Sequence, residues 1–137
     1  EAVARAVARS DSRVALVASG SLSHQIWENR LVEQGFNTIS REFNKQVDLR
    51  VLDLWQAGEW ATFLRMLPEY AQYCTGEGRM HDTAMLFGAL GWDGFTGEAE
   101  VVCPYFESSG TGQTVVQFPV AGIPAASRPL GIEMPVS

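Results

Sequence analysis

A helical pattern followed at once by a run of apolar residues constrains the fold of this chain more than any other feature. Apolar residues recur at helical spacing in residues 1–9, and the polar residues 10–12 end that pattern. Residues 13–18 form a run that is apolar on both faces, as a strand buried between two helical layers is. A helix followed by a buried strand is typical of α/β proteins, so we predict a mixed sheet flanked by helices.

Hydrophobic periodicity predicts further elements downstream. We expect a helix over 40–58 with Ser40 as its N-cap, a second over 59–67 closed by Pro68, and a third over 80–90. Two β-rich segments, 98–106 and 113–119, flank a loop at 107–112. The aromatic residues at core spacing are interpreted as packing, and they are Phe43, Trp55, Trp60, Phe63 and Phe87.

Charge and length exclude several classes of protein. The chain has ten Lys and Arg residues and 16 Asp and Glu residues, which give a net charge of −6. This charge argues against binding to nucleic acid or an anionic membrane. No apolar run approaches the roughly 20 residues that a membrane-spanning helix needs. We therefore expect a cytoplasmic protein. We also expect residues 1–120 to be the C-terminal part of one domain in a longer chain, and residues 121–137 to form an extended, Pro-rich tail.

His24 is the first candidate for chemistry, because this chain holds only two histidines, His24 and His81. It ends a Ser- and Gly-rich turn that follows the predicted strand, and ligand sites gather at the carboxyl ends of strands in open α/β sheets. An imidazole there suits general acid–base work, although a structural loop residue explains the pattern about as well. Ser21 and Ser23 beside it could bind a substrate or merely stabilise the turn.

A second cluster of polar residues lies in residues 74–82. If this segment is helical, Glu77 and His81 share a face, whereas Asp82 points about 100° away from His81. A carboxylate with imidazoles is the ligand set of non-haem iron(II) centres. The simpler alternative is a helix N-terminus, where Glu77 and Asp82 only favour the helix dipole.

Five stretches of this sequence carry a resemblance to a known family. They are LVASGSLSH at 16–24, REFNKQ at 41–46, MLPEYA at 66–71, GEGRMHD at 76–82 and SSGTGQ at 108–113. In their order and spacing they resemble the C-terminal half of class III extradiol ring-cleaving dioxygenases. The resemblance runs from about residue 1 to residue 120 and leaves out the Pro-rich tail.

The resemblance implies an activity and its cofactors. Members of this family cleave a catecholic acid with O2 at an iron(II) centre, which two histidines and a carboxylate hold, and Mn(II) favours similar ligands. The first candidate substrate is 3,4-dihydroxyphenylacetate, and the product would be a 2-hydroxymuconic semialdehyde in aromatic catabolism. The two histidine ligands lie in the N-terminal half of such enzymes, outside this chain. A homo-oligomer is also implied.

The resemblance also assigns roles to residues. His24 matches the acid–base residue that lies outside the ligand set, and Glu77 matches the carboxylate ligand. Asp82 is the rival ligand, because the register of this region is ambiguous, and His81 is a candidate pocket residue. The substrate side would include Ser21, Ser23, Ser109 and Thr111.

Two alternatives stay open at this point. A non-catalytic subunit could share the fold, and a relative could cleave another catechol or an aminophenol. The presence of His24 and of a nearby carboxylate favours the enzyme, because a subunit without catalysis would be free to replace them.

Overall fold

Five α-helices and one antiparallel hairpin make up residues 2–120, the part of the chain that this computed structural model describes. The elements are α1 (Ala2–Ala8), α2 (Val32–Gly35), α3 (Glu42–Gln56), α4 (Trp60–Tyr73), α5 (His81–Leu90), β1 (Glu100–Ser108) and β2 (Thr111–Gln117). Short 3₁₀ turns lie at Asn29–Leu31, Glu77–Met80 and Trp92–Gly94. The predicted extended tail at 121–137 lies outside the described residues.

An aromatic cluster joins α3, α4 and α5 to the end of the hairpin. Its ring centroids lie between 5.1 and 6.1 Å apart, many of them in edge-on or tilted pairs, which suits the charge distribution of aromatic rings. The members are Trp55, Trp60, Phe63, Phe87, Phe95 and Phe118. The predicted packing roles are thus confirmed except for Phe43, which is 56% exposed beneath the Arg41 guanidinium.

The predicted end of the second helix was wrong. α4 continues through Pro68 to Tyr73, although proline lacks the amide that a helix interior requires. Leu67 and Tyr70 on either side of Pro68 are buried, so tertiary packing of the following turn outweighs the lost hydrogen bond. The preceding helix, α3, also starts differently from the prediction, because Arg41 rather than Ser40 is its N-cap residue.

The predicted strand at 13–18 is not a strand in the described structure. Val14, Leu16 and Val17 are exposed, and the segment has no regular secondary structure. Together with residues of β2 it lines a cleft of about 900 Å³. A strand needs a hydrogen-bonded neighbour, and within residues 2–120 this segment pairs with none. The sheet of the described residues is therefore a two-stranded antiparallel hairpin rather than a larger mixed sheet, and helices lie against it.

The hairpin closes more tightly than the predicted six-residue loop. Ser108 pairs with Thr111, so Ser109 and Gly110 alone form the turn, with φ values of +51° and +93°. Two successive positive φ values are the signature of a type I′ turn, which matches the twist of the strands. Glu107 fastens this end of the hairpin to α3, because its Oε1 lies 2.6 Å from Lys45 Nζ. The ammonium group also holds the pKa of Glu107 below its usual value.

We expect Gly110→Ala to lower the free energy of unfolding by about 2–3 kcal/mol, because alanine is strained at this φ. A Cβ at this position would also overlap the Gln25 carbonyl oxygen and lie 3.0 Å from the Trp27 amide nitrogen. Urea denaturation of the protein measures the loss. Gly88→Ala in α5 is the matched control, because a Cβ there meets no atom of residues 2–120 within 4 Å beyond the backbone of its own helix, and it should be neutral or slightly stabilising. Equal effects of the two changes would contradict the explanation.

None of the helices within residues 2–120 is both long and apolar enough to cross a membrane.

Candidate active site

Three segments that are distant in sequence meet around His24. Isolated bridges pair Ser23 with Gly76 and His24 with Thr111. The His24 amide donates to the Thr75 carbonyl at 3.1 Å, and the Gly112 amide donates to the Ser23 carbonyl at 3.0 Å. Backbone hydrogen bonds on two sides therefore fix the main chain at His24 between the 75–79 turn and the start of β2.

His24 and Glu77 face each other across one pocket. The His24 Nε2 and Glu77 Oε2 atoms lie 3.8 Å apart, and the two side chains are 27% and 43% exposed. Glu77 Oε2 also accepts a 2.6 Å hydrogen bond from the Ser21 amide, which orients the carboxylate. Arg79 joins them in the lining of this pocket, whose volume is about 370 Å³. The arrangement places an imidazole, a carboxylate and an arginine residue around one small, solvent-accessible space.

The turn that carries Glu77 has an unusual backbone. Gly78, Arg79 and Met80 all have φ values between 55° and 60°, so three successive residues adopt the left-handed conformation. Such a conformation costs about 1–2 kcal/mol for each non-glycine residue. Met80 is buried against Gly76, which anchors the turn. Strained backbone of this kind clusters at functional sites, where the surrounding packing maintains it.

This turn separates the residues that a continuous helix would have placed together. Glu77 precedes the left-handed turn and His81 begins α5 after it, so the two do not share a helix face as the helical interpretation required. His81 is exposed. Asp82 lies against the Gly20 backbone, where a Cβ would overlap its carboxylate, and it lines the large cleft rather than the pocket of His24 and Glu77.

The four predicted substrate contacts occupy different environments. Ser23 is fully buried and its hydroxyl donates to Asp48, while Thr111 is 4% exposed and its hydroxyl donates to the Ser108 carbonyl. Both hydroxyls thus take part in internal hydrogen bonds, and a substrate contact by Ser23 or Thr111 stays a prediction. Ser21 lines the large cleft and accepts from Gln113 Nε2 at 2.6 Å. Ser109 lies in the hairpin turn, where its backbone bonds to Trp27 and Phe36.

Sequence reasoning missed Asp48, a buried carboxylate behind this site. This residue of α3 is 0% exposed. Burial raises its pKa, and hydrogen bonds from Ser23, Tyr70 and Tyr105 oppose that shift. The spacing of residues 44, 48, 51 and 55 at i, i+4, i+7 and i+11 was the available signal, because Asp48 shares the face of buried Val51 and Trp55.

The expected metal site is not complete within the described residues. No group of three His, Cys, Asp or Glu side chains converges within residues 2–120. Glu77 can offer one carboxylate oxygen of the kind that iron(II) or manganese(II) accepts, and His24 stands 3.8 Å away. A complete ligand set would need donors beyond these residues.

Comparisons with known proteins identify the family of this chain. Residues 1–119 match the family described as the catalytic LigB subunit of aromatic ring-opening dioxygenase. The chain is 46% identical over 109 residues to 3,4-dihydroxyphenylacetate 2,3-dioxygenase of Escherichia coli, an alignment that covers 80% of this chain. It spans only 40% of the length of that relative. With a match along almost the whole described region, this chain belongs to the LigB family of aromatic ring-opening dioxygenases.

Proposed function

We propose that this chain forms the acid–base part of an extradiol dioxygenase active site, in which a catecholic acid is cleaved by O2. The observation that carries the proposal is the pairing of His24 with Glu77 in one pocket at 3.8 Å. The name of the Escherichia coli relative supports 3,4-dihydroxyphenylacetate as the substrate. Both oxygen atoms of O2 would enter the product, a 2-hydroxymuconic semialdehyde.

His24 is the group that would move protons in this reaction. Ring cleavage of a catechol requires removal of a hydroxyl proton and later delivery of a proton to an oxygen atom, and imidazole suits both transfers near neutral pH. The Nε2 atom faces the pocket, and the Glu77 carboxylate at 3.8 Å attracts the imidazolium that forms. The hydrogen bond from the His24 amide to the Thr75 carbonyl fixes the backbone position from which the ring extends.

Glu77 would supply a carboxylate oxygen to iron(II) or manganese(II), with the remaining ligands from outside the described residues. Such a metal brings O2 and the catechol together when it is bound. The Ser21 amide supports this role, because its hydrogen bond holds Oε2 in place without neutralising the carboxylate. Asp82 lies in a different cavity, which favours Glu77 over its rival.

Arg79 gives the pocket a second means of recognising such a substrate. Arg79 belongs to the lining that includes His24 and Glu77. A guanidinium binds carboxylates through paired hydrogen bonds, so an acidic side chain on the catechol would have a complementary group here.

A homo-oligomeric assembly and a cytoplasmic location remain predictions.

The proposed function is tested on the product of the complete reading frame, since this chain spans 40% of its relative. We expect the protein, loaded anaerobically with iron(II), to consume one O2 per 3,4-dihydroxyphenylacetate and to form a yellow product. Oxygen-electrode and absorbance traces measure both. Parallel assays use 3,4-dihydroxybenzoate and 2-aminophenol, and a preference for either would replace the proposed substrate. Absence of O2 uptake with all three, despite bound metal and a folded protein, would instead support a non-catalytic subunit.

A further inference from the structure

Asp48 forms the centre of a buried hydrogen-bond cluster next to His24. Its Oδ1 atom accepts from the Ser23 amide at 3.2 Å and from the Tyr70 hydroxyl at 2.7 Å. Its Oδ2 atom accepts from the Ser23 hydroxyl at 2.7 Å and from the Tyr105 hydroxyl at 2.9 Å. An ionised carboxylate has about four acceptor positions, so these four donors satisfy it completely.

Stability alone does not explain this carboxylate. An ionised group with no exposure pays a large desolvation penalty, and apolar side chains of similar volume often stabilise such a position better. Four hydrogen bonds reduce the penalty, but they also require three side chains from separate parts of the chain to meet. The cluster therefore specifies the relative position of those parts more than it stabilises the fold.

The backbone next to the cluster leaves no space for a side chain at Gly112. Gly112 lies so close that a Cβ there would overlap Asp48 Oδ2 and would lie 2.5 Å from the Tyr105 hydroxyl oxygen. The same glycine accepts from the Leu22 amide and donates to the Ser23 carbonyl. Glycine at this position thus lets β2 approach both the carboxylate and the segment that carries His24.

Ser23 is the link between the cluster and the site. It is the only residue of the cluster that offers Asp48 both a backbone and a side-chain donor, and His24 follows it directly. On the other side, the Thr75 carbonyl accepts from the His24 amide. Asp48 therefore fixes the residue before His24, while the turn that carries Glu77 fixes His24 itself.

We infer that Asp48 is a positioning residue, which sets the place of the His24 imidazole through its two hydrogen bonds to Ser23. The catalytic part of this inference rests on the proposed function, whereas the placement of the ring does not. Tyr70 and Tyr105 serve the same purpose indirectly, because they hold the Asp48 carboxylate in the orientation that Ser23 requires.

The placement is tested by Asp48→Asn in the product of the complete reading frame. Asparagine keeps the shape but presents an amide group to hydroxyl donors, so at least one hydrogen bond to the cluster is lost. We expect the ring resonances of His24 in NMR spectra of histidine-labelled protein, assigned with His24→Gln, to shift or broaden. Asp53→Asn is the matched control, because Asp53 lies on the same helix and is exposed. Unchanged His24 resonances in Asp48→Asn would overturn the inference.

The catalytic consequence is tested by a double-mutant cycle. Asp48→Asn should lower kcat by about 10- to 100-fold, as loss of a supporting residue typically does, with a KM within about twofold of the original. In a His24→Ala background the same change should have no further effect on kcat, because it acts through the absent ring. An equal loss in both backgrounds would show general structural damage and overturn the inference.

Two further experiments distinguish a variant that does not fold from a failure of the proposed function. If Asp48→Asn does not fold, Ser23→Ala removes only the hydroxyl donor, and it should by itself shift or broaden the His24 ring resonances; unchanged resonances would again overturn the inference. If the unmodified protein consumes no O2 with any substrate, the proposed function fails, and the NMR comparison still decides the placement of His24.

Discussion

Replacement of His24 by alanine is expected to lower kcat for ring cleavage by about 10²- to 10⁴-fold, the usual contribution of a positioned general acid or base. The bound metal content should change little, because the proposed role of His24 is proton transfer and not metal ligation. The side chain is partly exposed, so the fold should tolerate its removal. Single-turnover O2 uptake and elemental analysis of the purified variant measure the two quantities.

Added imidazole provides the control for this prediction. The alanine variant leaves space next to Glu77 in a pocket open to solvent, and free imidazole should restore part of the lost rate. A variant that loses its metal together with its activity would contradict the proton-transfer role and would make His24 a ligand.

Replacement of Glu77 by alanine is expected to weaken metal binding, in contrast to replacement of His24. Activity should be lost as a consequence of the lost metal. A change outside the ligand set typically weakens metal binding by about 10- to 100-fold, and loss of a ligand should exceed that range. Titration of the metal-free protein with iron(II) or manganese(II) measures the affinity. Thermal unfolding of the metal-free variant shows whether the fold survives the change.

Three matched variants isolate the carboxylate itself. Glu77→Gln can still accept the hydrogen bond from the Ser21 amide but lacks the negative charge, so it should also bind the metal poorly. Glu69→Gln makes the same chemical change at an exposed position of α4 and should bind the metal normally. If Glu77→Ala retains the metal and Asp82→Asn loses it, Asp82 is the ligand and our assignment is wrong.

The structure gives a physical reason to prefer Glu77 that the sequence could not give. Both carboxylates lie within six residues of each other, and helical spacing would have placed Glu77 with His81. The left-handed turn at Gly78, Arg79 and Met80 breaks that spacing and turns Glu77 towards His24 instead. Left-handed backbone at a non-glycine residue has no reliable sequence signal, because the burial of Met80 maintains it.

Segments 13–18 and 60–73 show the same dependence on distant partners. Apolar composition predicted a strand at 13–18, but a strand forms only where another backbone offers hydrogen bonds. Pro68 predicted a helix end, but the buried residues Leu67 and Tyr70 keep the helix intact beyond it. In both cases the local preference was identified correctly, and contacts outside the segment decided the outcome.

The sequence by itself determined the helices α3 and α5, four members of the aromatic core and the position of the hairpin, and it suggested His24 as a candidate for proton transfer. Each of these depends on residues within a few positions of one another, whose spacing is visible in the chain. Only the tertiary structure decided which donors surround the buried Asp48 and that Glu77 meets His24. The donors to Asp48 lie 25, 22 and 57 residues away from it, at Ser23, Tyr70 and Tyr105. A charge can be buried only when such partners arrive together, and this condition is set by the folded chain as a whole.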